Sequence, residues 1–552
     1  MTTQPTLRPS IIALLFIFLG VLAVTPIYAG DATWLQAPPG NAWENASNWI
    51  PNTVPNATTD KATFGASDTT TIVVGSPINV ASLTFQPGAS TYDITVANGQ
   101  TLTLWGSPNI INNSGVVQNF VAAGGAMFFH GTETLDSTIH FEAQAASSTQ
   151  NQGEIVFQGG MNLGTATIDI DGSDGLHSPG EVIFSAGNNA GTCTIVLHRG
   201  TNDGYGGDLV FESGSASAAN ITAEGGAGQF HGEGMITFSN AGSGGSTILL
   251  QGPTVHGALG AICTYSLFGT AETSTLLADG GTIIFDYASS GGTARIVLTS
   301  RGSLDISGIR GETEGTGIGS LEGGETGTVL LGAKLLTIGS RNISTVYNGV
   351  ILDGGRLGGT GGSLEKIGTG ALTLTGASLY TGGTTVTEGD FLVANQTGSA
   401  TGTGAVQVNG GRLGGRGTIT GSLTVGSGSG SGAVLIPAAE TRKEVTTTVQ
   451  SALTFNADGS YHCAVNTGTG ASDSVVANGV TIDSSATFVL RQKGHGTLTP
   501  GTVITPIDNT AVTPIAGTFA GLPEGAIITG GTNSFAVSYT GGDGNDFTLT
   551  VL

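Results

Sequence analysis

The most regular feature of the chain is an alternation of apolar and polar positions that recurs at a fixed interval. Phe157, Phe184, Phe211 and Phe238 stand 27 residues apart, and two residues before each lies Ile155, Val182, Leu209 or Ile236. A second apolar pair follows in each unit: Ile168 and Ile170, Ile195 and Leu197, Ile221 and Ala223, Ile248 and Leu250. After a longer gap the unit returns as Ile283, Phe285, Ile296 and Leu298. Alternation with a period of two predicts strands with one buried face. Each unit therefore predicts two strands, with a looser third around Leu176, Tyr205 or Phe230, all separated by Gly-rich turns.

A repeat of this length with two or three short strands predicts an all-β fold, a parallel β-solenoid with one repeat per coil. Successive coils stack about 4.8 Å apart, so equivalent residues lie above one another and the phenylalanines form an inward ladder. A single coil buries too little to offset its chain entropy, so several coils and special ends are expected. The register also places Cys193 in the slot held by Ala166, Ala219, Ser246 and Ala294, a column of small inward residues.

Composition sharpens this picture. Of 552 residues 94 are Gly, without the three-residue period of collagen, and 38% are apolar, too many for a disordered polymer. The glycines read as corners, where positive φ is needed. Charged residues make up 10%, with 16 basic against 39 acidic and a formal charge of −23. With no basic cluster, neither nucleic acid nor an anionic membrane is an expected partner. The three cysteines, Cys193, Cys263 and Cys463, are too few and too far apart for a disulfide framework or a zinc site.

At the N-terminus, Arg8 precedes the apolar run Ile11 to Val24, which is followed by TPIYA ending at Ala29. The run is shorter than the roughly 20 residues a membrane span needs. It reads as a secretory signal, residues 1–29, cut after Ala29. The mature chain is expected to have no transmembrane segment.

Residues Ser363 to Asn395 read SLEKIGTGALTLTGASLYTGGTTVTEGDFLVAN. Leu364, Lys366, Gly368, Gly370, Leu372, Leu374, Gly376, Tyr380, Gly382, Gly383, Thr384, Gly389 and Leu392 match the pattern of the autotransporter-associated β-strand repeat, and the segment resembles that family. The resemblance implies a right-handed parallel β-helix in an exported surface protein of passenger type. Within it, Lys366 is expected to mark a turn contact and Tyr380 a stacked aromatic. About 110 residues remain after Thr441, too few for the usual outer-membrane barrel of roughly ten-residue strands. The expectation is a passenger-like protein without a recognisable C-terminal translocator barrel, and a separate anchoring chain is one alternative.

Candidate chemistry is sparse. Trp34, Trp43 and Trp49 fall within sixteen residues. They are expected to cap the open solenoid end, and a sugar-stacking platform is the alternative. Asp169, Asp171, Asp174 and His177 form the densest titratable group. Alternation points Asp169 to solvent, and Val196 replaces it in the next coil, so these read as solvated turn carboxylates. GGDGND at 541–546 has the spacing of a calcium-binding nonapeptide, making Asp543 and Asp546 candidate ligands, but it occurs once and reads as a hairpin turn. No nucleophile elbow, phosphate loop or H-E-x-x-H is present.

The resulting organisation is a signal at 1–29, a cap with first coils at 30–115, 27-residue coils at 116–311, coils with the family repeat at 312–441, and a C-terminal β-rich module at 442–552. No catalytic residue, cofactor or metal is expected. The reading is an exported, non-enzymatic solenoid scaffold, extracellular, at the cell surface or in the periplasm. The resemblance implies adhesive contact with glycan, matrix or another cell-surface protein. A polysaccharide-binding or polysaccharide-degrading β-helix is the alternative.

Overall fold

The computed structural model describes residues 30–147, 150–175, 177–185, 187–228, 232–310, 314–430, 432–438 and 444–552. The expected signal at 1–29, together with Leu176 and Phe230, lies outside them. The described chain is all-β, with one short 3-10 turn at Ala46–Asn48, and it winds into a solenoid of about 17 turns. Among the described residues no helix is long and apolar enough to cross a membrane.

The 27-residue period sets the register. Glu154–Phe157, Glu181–Phe184, Asp208–Phe211 and Met235–Ser239 pair in parallel with Phe157, Phe184, Phe211 and Phe238 directly opposite one another. Their rings stack at centroid spacings of 5.1, 4.7 and 4.8 Å, the spacing that parallel pairing imposes. On the next face Thr167–Ile170, Thr194–Leu197, Asn220–Ala223 and Thr247–Gln251 pair in the same way. Inward residues from both faces and from both ends of the solenoid form one buried apolar cluster. Ala166, Cys193, Ala219, Ser246 and Ala294 are all fully buried, as a column of small inward residues requires.

Two expectations are corrected. The apparent gap after Phe238 holds a complete coil, with strands Ile262–Ser266 and Thr275–Asp279; Tyr265 continues the ring ladder 4.8 Å from Phe238 and 4.9 Å from Phe285. Cys263 and Tyr265 stand there for the usual aliphatic and Phe, and the following coil is shorter, which hides the period. The third strand is also misplaced. Tyr205 lies outside any strand and is exposed. The third side of these coils lies instead between the Phe and Ile strands, reduced to single bridges that link Asn162, Asn189, Ser215, Gly242, Thr270 and Ser290. That side is a full strand ladder only toward the ends, as in Lys61–Phe64 with Ser82–Phe85 and in Leu335–Ile338 with Ser363–Lys366.

The two ends are closed differently. At the start, Ala32–Trp34 pairs antiparallel with Trp49–Ile50 and parallel with Lys61–Phe64. At the finish the parallel stack runs to Val503–Asn509, and the last strands, Asp546–Val551, Asn533–Gly541 and Ile527–Gly530, continue that sheet antiparallel. Antiparallel strands cover edges that would otherwise remain open to further pairing.

Candidate functional site

The family-like segment is built into the stack. Ser363–Lys366, Ala371–Leu374, Thr384–Val386 and Asp390–Val393 each pair with strands of the coils before and after. Lys366 is buried, and its ammonium donates to the carbonyls of Ile367 (2.8 Å), Gly368 (2.7 Å) and Glu388 (3.1 Å), so it ties a turn of one coil to the turn of the next. Burial lowers its amine to about 8, against the opposing pull of Asp390 and Glu388. Tyr380 is fully buried, and its hydroxyl meets that of Thr384 at 2.5 Å. Among the described residues its ring packs on no other aromatic, so its fixed partner is Thr384 rather than a stacked ring. Lys366 joins coils, Tyr380 braces its own, and both are buried.

The three clustered tryptophans give no platform. Trp34, Trp43 and Trp49 are at most 2% exposed, pack edge to face at 5.0 Å, and continue through Phe64 to the stacked ring of Phe85. Their indole N–H groups are bound to the carbonyls of Thr69, Pro55 and Trp43. With both faces and the polar edge used internally, the sugar-stacking alternative for these three residues is overturned. The indole that reaches solvent is Trp105, 47% exposed, parallel to the His130 ring at 4.1 Å and donating to Asn79 Oδ1. As a lone Trp at a strand end, it carried no pattern in the sequence.

The titratable group around Asp169 is more connected than the alternation suggests. Asp169 does point outward, but His198 Nε2 lies 3.1 Å from its Oδ1 and His140 Nε2 lies 3.7 Å from its Oδ2. Both histidines are diagonal neighbours, from the coils on either side. The directly aligned residue is Val196, and His198, expected beside the turn two residues on, reaches back to the carboxylate. Burial raises the Asp171 carboxyl, Glu142 raises it further, and His198 opposes them. Asp174 instead accepts from Asn202 and Thr201, and His177 offers its backbone N–H to Gly175. A shallow groove of about 450 Å³ lies beside His140 and Glu142, bordered by Asp93 and Asn119. The cluster brings two imidazoles and a carboxylate together on one outward face. Among the described residues no group of three or more His, Cys, Asp or Glu is placed to hold a metal ion.

A second acidic column runs on the Phe face, where Glu154, Glu181 and Asp208 stand in direct register. Burial pushes Asp208 up to about 6 and also raises Glu181, which its two acidic neighbours raise further. At the C-terminal hairpin Asp543 sits exposed at the tip, while Asp546 is turned inward and accepts the Asn509 N–H at 2.9 Å. The strands either side pair Gly541 with Asp546, so the two aspartates occupy a hairpin turn and point to different surroundings.

Residues 364–393 match the family model described as the passenger-associated-transport-repeat. A search of curated proteins finds no match to the chain. The matched residues include Lys366, whose ammonium holds neighbouring turns together, and Tyr380, which is fixed within its own coil by Thr384. The chain is a β-solenoid with a passenger-associated-transport-repeat seated inside its stack, and in this it is similar to autotransporter passengers.

Proposed function

We propose that this chain is an exported, non-enzymatic scaffold that displays a long β surface outside the cell, where it makes adhesive contacts with glycan, matrix or another surface protein. The observation that carries this reading is the passenger repeat at 364–393, seated as ordinary coils in an otherwise continuous stack. Export and adhesion are inferred by analogy with passengers that share the repeat. Fractionating cells into medium, periplasm and outer membrane tests the location, and attachment of cells with and without the protein tests the role. Confinement to the cytoplasm would sink the proposal.

One observation favours a second reading, a polysaccharide-degrading β-helix. Asp171 has a raised carboxyl beside Asp169, with His140 and His198 in contact with the latter, and paired carboxyl groups in unlike settings suit acid–base work. Turnover of acidic or neutral polysaccharides that is abolished in Asp171→Ala would establish it. Binding without turnover favours the scaffold.

A further inference from the structure

One corner of the solenoid exposes large side chains where an earlier coil turns on glycine. Two residues beyond the ladder ring the chain enters the left-handed region at Gly159 (φ 94°), and at the same place later coils put Asn240 (φ 52°), Leu267 (φ 54°) and Tyr287 (φ 52°). Asn adopts this conformation readily, whereas bulky residues rarely do. Leu267 and Tyr287 sit on adjoining coils, 43% and 50% exposed, and Phe268 beside them is 74% exposed. Such strain is kept where the surrounding fold enforces it, and it concentrates at functional surfaces.

Two arginines also reach this corner, beside Asp286 and Asp305. The Arg310 guanidinium lies 5.7 Å above the Tyr287 ring and forms no ion pair among the described residues. Arg356 pairs with the neighbouring Asp286, and its backbone N–H is held by Asp305. Gly308 makes room for that pair, since a Cβ there would collide with the Asp286 carboxylate. Arg310 thus lies over an exposed aromatic ring, and Arg356 pairs with the aspartate just before that ring, in a chain with only 16 basic residues and formal charge −23.

We propose that Phe268, Tyr287 and Arg310 form a binding site for an acidic polysaccharide. The apolar face of a sugar ring packs on an aromatic ring, while its carboxylate or sulfate meets the exposed Arg310 guanidinium. A neutral glycan would leave Arg310 unused, and a purely apolar partner would leave it desolvated without compensation. The site names the partner class for the adhesive scaffold proposed above and rests on that reading, but its test needs only the purified chain.

The test is binding of the full chain to immobilised polygalacturonate, dextran sulfate and neutral dextran at low and high salt. Binding is expected to at least one acidic polymer and not to dextran, weakening as salt rises. Arg310→Ala, Tyr287→Ala and Phe268→Ala should each weaken it at least about tenfold, as loss of one desolvated charged or aromatic contact does. All three side chains are exposed, and an unchanged thermal unfolding curve shows that each variant is folded. No acidic polymer bound, equal binding to dextran, or binding indifferent to these substitutions would overturn the site. So would a self-association that these variants abolish, because the corner would then serve a second copy of the chain. If acidic polymer binds in vitro but cells show no attachment, the site stands and the adhesive role falls.

Discussion

The ring of Phe211 lies 4.8 Å from that of Phe238, one coil on, with their planes 4° from parallel. Parallel register forces this geometry, and each ring fills the space its neighbour leaves. Phe211→Ala should therefore cost about 3–5 kcal/mol, the usual range for emptying a buried Phe site. Because solenoid coils couple chiefly to their neighbours, the loss should appear first as faster amide hydrogen exchange at 182–184, 209–211 and 236–238. Phe268→Ala, on an exposed corner, should stay within about 0.5 kcal/mol of the parent. Equal effects from the two would mean that the ladder does not hold the coils.

Much of this ladder was legible in the sequence, because a buried parallel column repeats residue types at a fixed interval. Phe157 to Phe238 and the small column through Cys193 show that plainly. The coil at Tyr265 was hidden because a cysteine and a tyrosine fill its inward slots and the next coil is shorter. The candidate surface was much less legible. His140 and His198 reach Asp169 along diagonals between three coils, and Arg310 meets Tyr287 across a corner. The first is the 27-residue register plus a two-residue diagonal offset, 29 residues each way, which an alignment of directly opposed positions passes over; the second depends on how coils of unequal length come into register. The tryptophans were legible as a cap, but clustering in sequence marks them only as a group, and packing decides that the group faces inward.

The carboxyl column of Glu154, Glu181 and Asp208 makes stability depend on pH. Burial pushes Asp208 from an ordinary value of 3.8 up to about 6. The folded value is the higher one, so its contribution is fully present below 3.8 and is lost as pH rises through about 6. Asp208→Asn removes the charge that folding must bury, so it should stabilise the chain at pH 7 by about 2 kcal/mol and change little at pH 4. Urea midpoints at the two pH values give the comparison. A destabilised variant at pH 7 would show that the ionised carboxylate is needed, as it would be for binding a cation.

Two glycines separate crowding from backbone strain. A Cβ at Gly376 would lie 1.8 Å from the carbonyl oxygen of Gly349 in the coil before, whereas one at Gly354 (φ 82°) would meet nothing within 4 Å. Gly376→Ala must push two coils apart and should cost at least about 3 kcal/mol, at the upper end of overpacking effects. Gly354→Ala meets only the left-handed backbone penalty of about 1–2 kcal/mol. Thermal unfolding ranks the two, and the reverse order would show that the coils at 349 and 376 can separate.

The cysteines should be chemically silent in the folded chain. Cys193, Cys263 and Cys463 are all free and buried, and burial pushes the thiols of Cys193 and Cys263 up to about 12 and that of Cys463 upward as well. Only the thiolate attacks disulfide reagents, so burial and a raised pKa act in the same direction. At pH 8 the native chain should react with no equivalents of an aromatic disulfide, and the chain in denaturant with three. Because Ala166 and Ala219 hold the same slot in adjoining coils, Cys193→Ala should cost no more than about 1 kcal/mol, far less than Phe211→Ala. Fast labelling of Cys193 in the folded chain would mean that its coil opens locally, and the small-residue column would then be a weak seam in the stack.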